Sequence, residues 1–153
     1  MPLDQNFFNA TKPLMLPGMG TEHIGLLIYS LIRMTRPTNV LEVGMGYTTP
    51  FLAMALHDNV VETKADISIL TKRRAEISDD EMGRKEVLNN SFYMQEMTPN
   101  LHAIDNFAMK ESSSSAVLKT IKDLDLESFV RIYESDYKGA SRKIDRSCFP
   151  IDC

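Results

Sequence analysis

The spacing of apolar positions changes several times along this chain, and each change marks an element. Ile24, Leu27, Ile28, Leu31 and Ile32 recur three or four residues apart, which predicts a helix whose apolar face covers a sheet. Thr21 stands ahead of them as an N-cap, with Glu22 in the first turn, where a negative charge suits the helix dipole. Glu22 and His23 read as a solvated first turn, Arg33 and Arg36 lie near the end, and Pro37 stops the helix. Asn39 to Val43 is then short, apolar and β-branched, the pattern of a buried strand, bracketed by Pro37 and Gly44. Phe51, Leu52, Met54 and Ala55 predict an inward-facing helix over 50–57, capped by Thr48 or Thr49, with Pro50 in its first turn.

A doubly wound fold would return a second strand within a few residues of that helix. Residues 59–98 are instead polar, charged and helix-forming, and read as an insertion. Val60, Ile67, Leu70 and Ile77 suggest one amphipathic helix in it, and Val87, Leu88, Phe92 and Met94 a second. Lys72, Arg73 and Arg74 read as a solvated face. Such insertions sit near the carboxyl ends of strands and act as lids, and Tyr93 is the weak candidate for a lid residue that reaches the site. Strand-like sequence resumes over 100–106 and again over 129–133. Between them a serine of the Ser112 to Ser115 run caps a helix over 116–124, on which Val117, Leu118, Ile121 and Leu124 have helical spacing. Residues 149–153 resemble the opening of a fourth strand.

At 153 residues the chain suits one domain with a sizeable core, and 43% apolar and 25% charged residues are ordinary for a globular protein. Residues 1–20 have no clear period and read as an arm anchored by Phe7 and Phe8, a groove-filling arm being favoured over a flap across the site. The net charge of −4 argues against a nucleic-acid partner, and no apolar run is long enough to span a membrane. With no evident signal peptide, and cysteines only at 148 and 153, a reduced, cytoplasmic setting is expected. His23, His57 and His102 are far apart, and no metal site is expected.

The candidate chemistry lies at the first strand's end. Gly44 and Gly46 permit a tight turn and a close backbone approach to a ligand. With the helix N-terminus behind it, such a turn makes a cradle of N–H donors where open α/β sheets bind nucleotides. The third glycine of the dinucleotide fingerprint is missing, because Tyr47, Thr48 and Thr49 follow Gly46. Glu42, just before the turn, would repel a pyrophosphate and suit a ligand with an ammonium or sulfonium group. Asp105 ends the second strand, where a carboxylate's two oxygens match a ribose diol. It lies 59 positions after Gly46, and without the 40 residues 59–98 the spacing is 19, against about 20 in an uninterrupted unit.

An acid followed by Gly-x-Gly, then Asp105, then Ser135 and Asp136 after the third strand, resembles the class I S-adenosylmethionine-dependent methyltransferases. The resemblance covers roughly residues 21–153 and implies a Rossmann-like parallel sheet with S-adenosylmethionine along one edge. It places Glu42, Gly44, Met45, Gly46, Tyr47 and Thr48 around the methionine part, Asp105 on the ribose, and Asn106 on the ribose or adenine edge. Ser135 and Asp136 then serve the adenine, with Glu134 the runner-up acid. The family's sheet normally has seven strands, and this sequence supplies three and the start of a fourth. The expected completion is the rest of a longer enzyme, a second chain, or self-pairing, the first being favoured by analogy. The residues where the family often carries catalytic groups are not in this sequence, so no general base is assigned. The expected activity is methyl transfer to a small molecule, driven mainly by alignment at a sulfonium already primed to react. Transfer or cyclisation of the aminopropyl chain and a non-catalytic nucleoside-binding module are the alternatives. An NAD enzyme is disfavoured by Glu42 and the missing glycine.

Overall fold

A computed structural model describes residues 3–18, 20–76, 95–107 and 113–136. It shows an α/β fold with a three-stranded parallel sheet in the order β1-β2-β3, compatible with a Rossmann-like arrangement. The strands are β1 (Asn39–Val43), β2 (Asn100–Asp105) and β3 (Val130–Glu134). Four helices are described: α1 (Gln5–Thr11), α2 (Gly25–Thr35), α3 (Thr48–Glu76) and α4 (Ser114–Asp123). Short 3₁₀ turns follow α1 (Lys12–Leu14) and precede β3 (Glu127–Phe129).

Sequential strand order with right-handed crossovers puts both connecting helices on one face. Leu52, Ala53 and Leu56 of α3 and Val117 and Ile121 of α4 accordingly form one core with Leu101 and Ala103 of β2, joined by Val40 and Val130. Neighbours in register share a face, so Val40 and Glu42 lie on the covered side with Leu101 and Ala103. Leu41 and Val43 lie on the other side and are about half exposed or more (49% and 62%). The backbone of β1 alternates as well. The Thr38 carbonyl accepts from Asn100 N–H and the Gly44 N–H donates to the Ile104 carbonyl, so even-numbered residues bond β2. Asn39, Leu41 and Val43 therefore turn their N–H and C=O groups to the outer edge, where no described strand pairs with them.

Three elements differ from the sequence expectation. The helix over 50–57 does not end there: α3 runs unbroken from Thr48 to Glu76, so the first part of the expected insertion continues it. The reason is tertiary. Asp58 and Asn59, polar residues that read as a helix end, are both buried and both partnered by α2. Tyr29 Oη donates to Asp58 Oδ2 at 2.7 Å, Arg33 donates to Asn59 Oδ1 at 2.6 Å, and Asn59 donates to the Ile32 carbonyl. Burial and the Asp58 carboxylate push the Tyr29 phenol pKa up, which keeps it a donor. Among the inward positions of α3, Met54 is only partly buried and Leu56 is fully buried. Val60, Ile67 and Leu70 are half-buried, and Lys72 and Arg73 are exposed. Ile77 and the expected second insertion helix lie outside the described residues.

Second, α2 begins at Gly25, after a turn in which Ile24 N–H donates to the Thr21 carbonyl, so Thr21 is not its cap. His23 is exposed, and Glu22 turns back to accept from the Gly18 N–H; hydrogen bonds from its own backbone N–H and from that of Gly18 hold its pKa below the ordinary value. The buried face of α2 is Gly25 and Ile32, with Ile28 and Tyr29 beside them, whereas Leu27 and Leu31 are exposed (68% and 55%). The phase is set by Gly25, whose missing side chain admits the Phe51 ring: a Cβ there would lie 2.8 Å from Phe51 Cε2. Phe51 cannot yield, since it is buried between the rings of Phe7 and Tyr47 at centroid distances of 4.9 and 5.0 Å. Gly25→Ala is therefore expected to lower stability by about 1–3 kcal/mol in urea unfolding, although alanine is the better helix former. An unchanged midpoint would show that α2 does not seat on Phe51.

Third, the arm fills a groove and is anchored by Phe7 as expected, but it does so as a helix and without Phe8. Phe7, Thr11 and Leu14 are buried, and Thr120 of α4 donates to the Ala10 carbonyl, while Phe8 is 38% exposed and anchors little.

Candidate functional site

The turn after β1 is built by glycine and by side chains from three elements. Gly44 has φ +83°, a conformation costly for any residue with a Cβ. Asp105 Oδ2 accepts from the Met45 N–H at 2.9 Å, and its Oδ1 accepts from the Phe107 N–H at 2.8 Å. The second of these holds Phe107 at φ +52°. Ser113, at the start of α4, donates from Oγ to the Met45 carbonyl at 3.0 Å. The Met45 side chain itself is buried in the core. Neither threonine caps α3 in the expected way, since the helix starts at Thr48. Thr49 Oγ1 accepts from the Gly46 N–H, and Thr48 Oγ1 donates to Glu42 Oε1 at 2.6 Å.

Glu42 is 9% exposed, and its Oε2 has no hydrogen-bond partner. Burial raises its pKa, the nearby Asp105 charge adds to the rise, and the Thr48 and Thr49 hydroxyls offset part of it. This carboxylate lines a cavity of about 590 Å³ with Gly44, Met45, Gly46, Tyr47 and Thr48. Volumes of that size are typical of ligand sites. Consecutive residues from Val40 to Val43 all line it, although their side chains alternate between faces, so it runs along the outer edge of β1. Leu14, Leu16, Thr21, Ile24, Ile28, Leu52 and Ser113 complete the lining, which among the described residues contains no Lys, Arg or His.

Gly46 differs from Gly44. Its φ is not positive, and a Cβ there would come no closer than 4.0 Å to any neighbour, Ser113 Oγ. Packing among the described residues does not require glycine at 46, and the residue borders the cavity.

The other sequence candidates fall at the carboxyl ends of β2 and β3. Asp105 reaches the turn by its bond to Met45 but is not among the cavity's lining residues. Asn106 donates to Asp136 Oδ1 at 3.0 Å, which brings together the ends of β2 and β3. The Ser135 N–H donates to the Asp105 carbonyl and extends that ladder by one residue. Glu134 is exposed, and Tyr93 lies outside the described residues. Among the described residues, no group of three or more His, Cys, Asp or Glu could hold a metal ion, and no helix is long and apolar enough to cross a membrane.

Sequence reasoning did not foresee Ser113 as a brace of the turn, nor Leu14, Leu16, Thr21, Ile24 and Ile28 as cavity wall. The serine run signalled only a helix cap, and the arm has no period from which a wall could be read. Comparison with protein-family models, curated proteins and solved structures finds no match.

Proposed function

We propose that this chain forms the cofactor-binding part of an S-adenosylmethionine-dependent methyltransferase acting on a small molecule. The observation that carries the reading is Glu42 Oε2, a buried acceptor without a partner, set in a cavity beside the glycine turn. A buried polar atom left without a hydrogen bond is costly, and an ammonium group of a ligand would satisfy it. Among the described residues the lining offers no cationic side chain to a phosphate, which disfavours a dinucleotide. The space at Gly46 suits close approach of a ligand to the backbone.

Bound S-adenosylmethionine would supply a methyl group activated on a sulfonium. The chain's part is to bind and orient. Glu42 holds the amino group of the methionine part, while the backbone around Gly46 approaches it closely. Asp105 keeps the turn in shape through Met45, and each of its oxygens retains a lone pair for a ribose hydroxyl. The Asn106–Asp136 pair lies beyond Asp105, past the carboxyl ends of β2 and β3, on the adenine side of this arrangement.

Calorimetry with S-adenosylhomocysteine on the chain and on Gly46→Ala tests the reading. The chain is expected to bind, and the variant to keep its melting temperature while its affinity falls at least tenfold, because the new methyl occupies ligand space and nothing else. Equal affinities would place the ligand elsewhere, and no binding by the parent chain would overturn the reading.

A further inference from the structure

Beside the edge of β1, from Val40 to Val43, the cavity has two further kinds of wall. One is the turn from Gly44 to Thr48, already assigned to the cofactor. The other comes from the arm and the start of α2: Leu14, Leu16, Ile24 and Ile28, with Thr21 the one polar side chain. These residues are far from the turn in sequence, and this second wall carries no charge. Leu14 is buried and fixed in the core, whereas Leu16 is 51% exposed although it borders the cavity. Leu16 is held in place by its neighbours. The Met15 N–H donates to the Lys12 carbonyl, and Glu22 Oε1 accepts from the Gly18 N–H at 2.7 Å, folding the segment back toward α2. In the turn, the Thr48 and Ser113 hydroxyl protons are already committed to Glu42 and the Met45 carbonyl.

We infer that the wall formed by the arm and α2 is the acceptor compartment, and that the acceptor is a neutral, predominantly apolar small molecule. The inference rests on the cofactor reading for the word acceptor, but the apolar compartment stands on the lining alone. An anionic acceptor would meet no cation among the described lining residues and would face the Glu42 carboxylate. A strongly polar one would lose its water against Leu14, Leu16, Ile24 and Ile28, whose side chains offer no replacement hydrogen bonds.

The test uses the neutral fluorophore N-phenyl-1-naphthylamine, which brightens in apolar surroundings, with the full chain. Saturable binding is expected, and Leu16→Asp should weaken it at least tenfold. Leu27→Asp, on the exposed side of α2 and not in the lining, should leave it unchanged. Both substitutions are at exposed positions, so folding is checked simply by their melting curves. Saturating S-adenosylhomocysteine should leave probe affinity unchanged or higher. Equal loss in both variants would mean that the probe reads the exposed apolar surface of α2, and no loss in either would mean that it binds elsewhere. Competition by S-adenosylhomocysteine would mean that one ligand fills the whole cavity. A sedimentation profile in which the probe enters only after a dimer dissociates would mean that a second copy covers the groove. Each of these four results overturns the inference. If the probe behaves as expected but S-adenosylhomocysteine does not bind, the cofactor reading falls and the apolar compartment remains.

Discussion

Asp105→Ala is expected to lower the free energy of unfolding by about 3 kcal/mol and the melting temperature by roughly 6–12 °C. The carboxylate accepts two backbone N–H bonds, from Met45 and from Phe107, and these tie the β1 turn to the end of β2. Hydrogen bonds to a charged acceptor contribute about 1.5–3 kcal/mol each, and alanine leaves both donors without it. Phe107 then keeps a positive φ with nothing to enforce it. Asp105→Asn should be little better, because an amide retains one acceptor and turns its NH₂ toward the other N–H. Urea unfolding of both variants checks this, and a loss below 1 kcal/mol in alanine would mean that the turn is held without Asp105. The same change should also abolish S-adenosylhomocysteine binding, so the Gly46→Ala variant, which spares the fold, is the cleaner probe of ligand contact.

Glu42→Gln should shift the balance between stability and binding in opposite directions. Burial raises the Glu42 pKa, so the folded chain holds this proton more tightly than the unfolded chain. The associated stability is fully present below the ordinary value of 4.5 and is lost as pH rises through the raised folded value. Glutamine has no such loss. The variant should therefore gain on the parent as pH rises from 4.5, and level off once Glu42 is ionised in both states. Urea midpoints across that range measure it, and parallel curves would show that Glu42 is not desolvated. Ligand affinity should move the other way, falling about 10- to 100-fold at neutral pH as a charged partner of the ammonium is lost. An active site commonly carries such a cost to stability.

What the sequence revealed depended on whether local chemistry or a distant partner decided the outcome. The boundaries of β1 were legible because Pro37 and Gly44 act on their own backbone, and the ends of β2 and β3 fell within a residue of expectation. The parallel α/β arrangement followed from the order of these elements. The length of α3 was not legible. Asp58 and Asn59 look like a helix end until Tyr29 and Arg33 are seen to satisfy them. The buried face of α2 was misjudged for a related reason. Leu26, Leu27, Ile28, Leu31, Ile32 and Met34 surround most of the helix, so spacing alone does not fix its rotation, and Gly25 against Phe51 does. At the site, Glu42 and Gly44 were singled out by residue type at a strand end, and the structure places both at the cavity. Asp105 was singled out for a ligand, and its bond to Met45 was hidden because it joins residues 60 apart in sequence.

The unbroken α3 gives the molecule a gradient of local stability. At 1.5 Å per residue its 29 residues span about 44 Å, whereas a five-residue strand spans roughly 16 Å, so the helix outruns the sheet it covers. Its last buried residue is Thr63; beyond that, among the described side chains, none is buried through Ala75. Arg33 of α2 and Arg36, its C-cap, reach Glu62 and Asp66 at this boundary, the last ion pairs described on the helix. Amide protons of residues 52–63 should thus exchange with solvent deuterium only through global unfolding. Those beyond Asp66 should exchange by fraying, orders of magnitude sooner. One continuous helix would then behave as two cooperative units, and the unit that carries the candidate site's floor is the slow one.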